Sequence, residues 1–456
     1  MKALVILILT KALLLACFIQ FGPIGLGPDE AQYWTWSQEL AFGYYSKPPG
    51  IAWIIRAGTM LFGNTEFGVR FGALLIGSLL PLAVYHLAVR ANLSSRQAIW
   101  AAVVMALSPL GIMASFFATT DGPMTLFWTL GLAAILQGEP LILGAMIALG
   151  ALFKWPIYLL WLFGIPFFHL RPKLFMGIVL SLLGLLPTFY WNFWHDFATF
   201  RHIGHAVQET GSSGNPLEFF GAQAALVSPI FFILLLLSYG SLCKNYSKIE
   251  KKVRYLGAVS LLLLVVYIVI ACFKKMQGNW CVFAYPAAFV YLAWWAIPRL
   301  QLWMRWGAGL SVGLTAFVLL YPLPHKYSPF RHNLGWRDLA VVLEEAGYDA
   351  KKHVLFSDKY QTTSILSFYG PEQKRAYFLN INSARLNQFS FWPQMKEGQS
   401  GFFVAIPPDE KSEKNLSGFF ENILAKGVKA LGPGKNIELF NCQNYNGLKP
   451  ESKVSW

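Results

Sequence analysis

Apolar stretches recur through the first two thirds of the chain, separated by short polar or basic segments. They fall at 4–21, 66–89, 97–117, 122–137, 141–153, 155–169, 174–191, 222–243, 255–273, 280–297 and 306–322. A helix needs roughly 20 apolar residues to cross a hydrocarbon core, so the pattern predicts about eleven membrane spans. The runs 141–153 and 155–169 are short and meet at Lys154-Trp155-Pro156, which predicts two half-length helices. Met1 to Phe21 carries no small-x-small cleavage site and is expected to be retained as a first span.

From about Leu323 the pattern changes. Charges reach ordinary density, and apolar residues alternate with polar ones around His353-Val354-Leu355-Phe356 and Phe402-Phe403-Val404-Ala405-Ile406. Gly335-Trp336-Arg337-Asp338-Leu339 opens a helical pattern that closes near Gly347. The predicted organisation is a membrane domain over 1–322, with a long first outer loop at 22–65, then a small α/β domain over 323–456. That second part is large enough to hold its own core. No internal repeat interrupts this plan.

Composition sharpens the class. The 456 residues are 55% hydrophobic and 13% charged, against roughly 25% charged in a soluble domain. The expected fold is therefore a mainly α, polytopic membrane protein. The net charge of +14 lies largely in short loops between spans. It reads as topology and attraction to anionic membrane lipids, not as a nucleic-acid surface. The five cysteines show no CxxC pair and no ligand spacing.

Lysines and arginines also assign sides. Lys2, Arg90 with Arg96, Arg171 with Lys173, Lys244 to Arg254, and Arg299 with Arg305 occupy one set of loops, which the positive-inside rule places in the cytoplasm. The Asp29 loop, the Asp121 turn, Lys154, the loop 192–221 and the Lys274–Trp280 turn then share the outer face. Lys274 and Lys275 run against the rule. An odd number of spans puts the C-terminal domain on the outer face as well.

That face carries the candidate chemistry. Asp29-Glu30 reads as a general base with an orienting carboxylate, or as a solvated loop in which Asp29 caps a helix from Glu30 to Trp36. Tyr33, Trp34, Trp36, Tyr44 and Tyr45 read as an interfacial aromatic belt or as a stacking surface for sugar or prenyl chain. Lys47 sits in a turn stiffened by Pro48-Pro49. It is a point charge suited to phosphate, or a lysine snorkelling to the interface. Asp121 precedes Gly122-Pro123, as an N-cap would. Lys154 has no acidic neighbour in sequence and calls for an anionic partner. Arg201, His202 and His205 fit phosphate contacts, a weak metal pair, or an unliganded surface. Gln277-Gly278-Asn279-Trp280 offers amide donors in a turn.

These pieces in this order resemble the GT-C membrane glycosyltransferases related to the dolichyl-phosphate-mannose–protein mannosyltransferases. The bacterial branch that contains the lipid A aminoarabinose transferase and the Rgt-type galacturonosyltransferases is the most similar. The resemblance rests on Asp29-Glu30-Ala31-x-Tyr33-Trp34, Gly43-Tyr44-Tyr45-x-Lys47-Pro48-Pro49, Thr65-Glu66-Phe67-Gly68-Val69-Arg70, Thr120-Asp121-Gly122-Pro123, Lys154, Trp191-Asn192-x-x-His195-Asp196-Phe197 and Asn279-Trp280-x-x-x-Ala284-Tyr285-Pro286. Asp358-x-Tyr360-Gln361 extends it loosely into the tail.

The resemblance implies the GT-C fold, a polyprenyl-phosphate sugar donor and an acceptor on the outer side of a bacterial inner membrane, with the active site and the C-terminal domain facing the periplasm. The implied acceptor is lipid A, lipopolysaccharide core or another lipid-linked glycan. The resemblance also implies inversion at the anomeric carbon with Asp29 as base, Glu30 and Asp121 as accompanying acids, and Lys47, Lys154 and Arg201 as phosphate ligands. Tyr33, Tyr45, His202, His205, Asn279 and Trp280 are expected to touch donor or acceptor. Where the aminoarabinose transferase has an acidic metal-site residue before the loop lysine, this chain has Ser46. Catalysis is therefore expected without a required metal. A protein hydroxyl as acceptor is the alternative within the same fold. A lipid or sugar transporter is the alternative outside it, but there broken helices place charges at midplane, whereas here they gather at one face.

Overall fold

The computed structural model describes residues 1–208, 214–321, 327–382, 385–408, 411–432 and 434–448. α1 (Lys2–Phe21) buries Leu4, Ile8, Lys11, Leu15 and Ile19 along one stripe at helical spacing. Its other faces leave Leu9, Leu13 and Leu14 exposed, as a helix beside lipid tails does. Lys11 lies on the buried stripe. Its Nζ donates to the carbonyl of Gly77 at 3.0 Å and to Ser115 Oγ at 2.9 Å, so a charge inside an apolar run pins the first helix to its neighbours.

The segment read as a long first loop contains two helices, α2 (Pro28–Gln38) and α3 (Gly50–Phe62). α4 (Glu66–Arg90) follows, started by Thr65, whose hydroxyl accepts from the amide of Gly68. α5 (Ser95–Leu107) and α6 (Pro109–Phe116) form one apolar unit bent by 60°. Ser108 restarts the helix there by capping Gly111 N, and Pro109 fills the first position, where no amide hydrogen is needed. A Cβ on Gly111 would come within 1.7 Å of the Met105 carbonyl oxygen, so glycine alone closes this bend. α7 (Asp121–Gln137) packs on α8 (Pro140–Ala151).

Among the described residues five helices are long and apolar enough to cross a bilayer: α1, α4, Pro229–Lys248, Lys251–Phe273 and Gln301–Leu320. Counting each bent pair as one span raises the number to seven. The rest of the eleven expected runs fall on shorter apolar helices, among them α7, Pro140–Ala151, Trp155–Phe167 and Tyr285–Ala296. Hydropathy registers apolar composition but not backbone breaks, and Pro109 and the Leu183–Leu185 corner each break a run. The two short runs around Lys154 are half-length pieces, Pro140–Ala151 and Trp155–Phe167.

The C-terminal part holds a five-stranded sheet in the order β2-β1-β3-β5-β4. β1 (Val354–Ser357), β2 (Tyr377–Phe378) and β3 (Gly401–Ala405) run parallel, while β4 (Phe420–Ala430) and β5 (Asn436–Tyr445) complete it antiparallel. β3 is buried along its whole length, which explains its continuous apolar run. The boundary expected between 322 and 323 lies outside the described residues.

The helix Tyr360–Tyr369 packs directly on α2. Trp34 meets Phe368 edge to face at 4.9 Å between ring centroids, and Trp36 stacks on Tyr44 at 4.6 Å. Trp34, Trp36, Tyr44, Tyr33 and Tyr45 are all buried. The expected interfacial belt is instead the core of the seam between the outer loop and the small domain. The sequence shows a cluster of aromatics; it does not show that protein rather than lipid headgroups covers them. Polar bonds close the rim. Tyr369 OH donates to Glu66 Oε1 at 2.7 Å and accepts from Leu26 N, and Arg337 forks onto Glu66 at 2.9 and 2.5 Å.

Candidate active site

The first turn of α2 separates two adjacent carboxylates. Gly27 caps the helix, Pro28 opens it, and Asp29 and Glu30 follow inside it. Glu30 turns inward. Its Oε1 accepts from Arg70 Nε at 2.9 Å and Ala118 N at 3.0 Å; its Oε2 accepts from Arg70 Nη2 at 2.7 Å and Gly27 N at 3.1 Å. Arg70 is fully buried and also donates to the carbonyls of Ile24 and Gly25. Glu30 is thus a saturated anchor that ties α2 to α4 and to the start of α7.

Asp29, one residue earlier and about 100° around the helix, does not cap α2, because Gly27 holds that position. Its carboxylate makes no direct hydrogen bond or ion pair among the described residues. It is open to solvent, yet protein encloses it, so it sits on the floor of a cleft. Loss of hydration raises its pKa above the usual aspartate value; Lys47 opposes that rise and Glu30 adds to it.

Lys47 reaches the same cleft from a tight turn. Tyr44 N donates to Lys47 O at 3.1 Å and Lys47 N returns the bond at 3.4 Å. Gly50 N donates to Leu152 O at 2.8 Å, which holds the Pro48-Pro49 corner against the break before Lys154. A Cβ at Gly50 would stand 2.7 Å from that oxygen. The Lys47 ammonium is half-buried and has no direct partner among the described residues. Burial lowers its pKa, with Lys154 and Arg385 adding to the effect and Asp121 and Asp29 opposing it.

Lys154 finds its anion inside the protein. Its Nζ lies 2.5 Å from Asp121 Oδ1, and Asn279 Nδ2 donates to Asp121 Oδ2 at 2.8 Å. Asp121 is therefore no N-cap: Thr120 stands there, and the carboxylate bridges two loops expected on the same face. Trp280 is exposed, its indole bonded to Gln277 at 3.2 Å. An apolar cavity of about 470 Å³ opens beside this bridge, with Asp121 and Asn279 at its polar end and Leu80, Leu110, Phe117 and Val282 among its walls.

Asn192 organises the third loop by bonding Thr188 O, Thr199 N and Thr199 Oγ1, and Thr199 in turn donates to Tyr44 O at 3.1 Å. His195 stacks on Trp191 at 3.9 Å. His202 lies 4.7 Å from the Tyr45 ring. Burial, with Arg385, Lys47 and His205 adding to it, pushes its pKa down to about 4, so it is neutral at pH 7. Arg201 and His205 are exposed on the same helix.

Tyr33 is buried between the charges of Asp29 and Asp121 and the side chain of Tyr360. Tyr360 and Arg385 come from the small domain. Tyr360 belongs to the loosely matching tail motif, and nothing in the sequence around Arg385 marks it. Among the described residues no three His, Cys, Asp or Glu side chains converge as a metal site.

Residues 46–191 match the family model for dolichyl-phosphate-mannose-protein mannosyltransferase. The chain is 31% identical over 324 residues to the lipid A galacturonosyltransferase RgtD of Rhizobium johnstonii, an alignment covering 65% of this chain and 66% of that protein, just under two thirds. It is 32% identical over 124 residues to the undecaprenyl phosphate-alpha-4-amino-4-deoxy-L-arabinose arabinosyl transferase of Edwardsiella ictaluri, covering 25% of this chain and 22% of that one. The crystal structure of ArnT from Cupriavidus metallidurans superposes with a TM-score of 0.67 at 17% identity, covering 96% of this chain and 98% of that one, which shows a shared fold.

Proposed function

We propose that the chain is a GT-C membrane glycosyltransferase of the branch that holds RgtD and ArnT, and that it transfers a sugar from a polyprenyl phosphate to lipid A or lipopolysaccharide core on the periplasmic side of a bacterial inner membrane. One observation carries this reading. Of the three acids in the cleft region, Glu30 and Asp121 are fully engaged, while Asp29 is unpaired and shares its cleft with the unpaired cation Lys47. An unpaired base beside an unpaired cation suits removal of a proton from a hydroxyl while a phosphate leaves.

Asp29 accepts the proton of the acceptor hydroxyl as its oxygen attacks the anomeric carbon from the face opposite the phosphate. Lys47 binds the donor phosphate. Lys154 is held by Asp121 and tunes Lys47 through its charge. The apolar cavity ending at Asp121 and Asn279 takes the first part of the prenyl chain. The sidedness rests on charge and contact together. The acid-bearing loops meet at one end of the helices, while Lys252 Nζ donates to Arg90 O and Arg96 to Gln301 at the other.

The test uses purified protein in lipid nanodiscs with labelled undecaprenyl-phosphate donors carrying galacturonic acid or 4-amino-4-deoxyarabinose, offered lipid A or a hydroxyl-bearing protein. Label is expected on lipid A, read by mass spectrometry; label found only on protein, or remaining on every donor, overturns the proposal. Lys47→Ala is expected to weaken donor binding about tenfold, the size of one lost charge-assisted hydrogen bond. Unchanged binding by calorimetry would remove Lys47 from the phosphate site.

A further inference from the structure

We propose that Arg385, carried by the C-terminal domain, contacts the phosphate as it leaves the sugar and holds the second negative charge that the phosphate acquires in that step. The inference rests on the polyprenyl-phosphate donor reading above.

Arg385 opens a segment that is fastened to the Lys47 turn. After it, Gln388 Oε1 accepts from Tyr45 N at 2.8 Å, two residues from Lys47, and the Phe391 ring lies 5.8 Å from that of Tyr45. The guanidinium rests over Tyr360 at 5.8 Å from the ring centroid, and Nη2 donates to the Tyr360 hydroxyl at 3.5 Å. It has no carboxylate partner among the described residues. Its charge bears on Lys47, Tyr45, His202 and Tyr360, the groups gathered at the Lys47 turn.

The reaction's charge balance supplies the reason. The donor phosphate is a diester with one negative charge. Attack by the acceptor oxygen forms a new bond to the anomeric carbon, and the bond from that carbon to the phosphate oxygen breaks. Its electron pair stays on the phosphate, and the hydroxyl proton goes to Asp29. The leaving prenyl phosphate is a monoester with two negative charges above a second pKa of about 6. Lys47 matches the first charge. Lys154 cannot match the second, because Asp121 already neutralises it at 2.5 Å, and His202 is neutral. Arg385, carried by the small domain, is a planar fork with no carboxylate partner among the described residues, suited to two phosphate oxygens at once. Its contribution grows as the bond breaks, which is the condition for accelerating the step.

The experiment compares two probes at pH 8 on the full-length protein: undecaprenyl phosphate, a dianion, and methyl undecaprenyl phosphate, a monoanion. Arg385→Ala is expected to weaken the dianion about tenfold and the monoanion by less than about threefold, to lower kcat more than it raises KM, and to leave the melting temperature near wild type. Arg385→Lys is expected to restore part of the dianion binding. Equal losses for both lipids, or no loss for either, overturn the assignment and leave the donor reading standing. No binding of either lipid by the wild type overturns both.

Discussion

Replacing Asp29 by Asn is expected to reduce turnover about a thousandfold, within the range of a lost general base, with donor affinity changed by less than about threefold. The substitution keeps size and polarity and removes only proton affinity. No protein contact depends on the carboxylate, because Asp29 has no direct partner among the described residues. Stability is therefore expected to stay near wild type, and a variant that retains most of its rate removes Asp29 from the role of base. The same residue predicts a pH profile. Its pKa is raised, so it remains protonated, and inactive as a base, to higher pH than an ordinary aspartate. The acid limb of kcat/KM is expected above the usual aspartate value of about 4. Lys47 pulls that pKa down, so Lys47→Ala is expected to move the limb further up. A limb that moves down, or not at all, contradicts the assigned coupling.

Glu30→Ala is expected to cost about 3–5 kcal/mol of stability, the range for removing one partner of a buried ion pair. Arg70 would then stay fully buried with only carbonyl partners, and the amides of Gly27 and Ala118 would lose their acceptor. Turnover is expected to fall with stability, because the same bonds orient the turn that carries Asp29. Pairing Glu30→Ala with Arg70→Met is expected to recover part of the melting temperature by removing the stranded charge. Thermal unfolding in detergent would separate the cases. A single variant as stable as wild type would show that the pair contributes little and that Glu30 is not the anchor of this turn.

Much of this plan was legible along the chain. The apolar runs, the changed composition after Leu323 and the loop charges pointed to a membrane domain followed by an α/β part, and the break at Lys154 showed as two short runs. The acids and cations of the cleft were all named from sequence except Arg385. What stayed illegible was their pairing. Asp29 and Glu30 are adjacent and chemically alike, yet one is bare and the other accepts four hydrogen bonds. Lys154 seemed to need a ligand, and its anion proved to be Asp121, 33 residues earlier. The aromatic cluster looked like a headgroup belt until the helix Tyr360–Tyr369 was seen to cover it.

By itself the sequence determined the kind of molecule, because burying uncompensated charge in hydrocarbon is costly enough to write itself into composition and spacing. Only the tertiary structure decided which charges are spent on each other and which are left unpaired. Ion pairing depends on the last few ångströms between groups far apart in the chain, such as Glu30 and Arg70, 40 residues apart, and no local pattern encodes that distance.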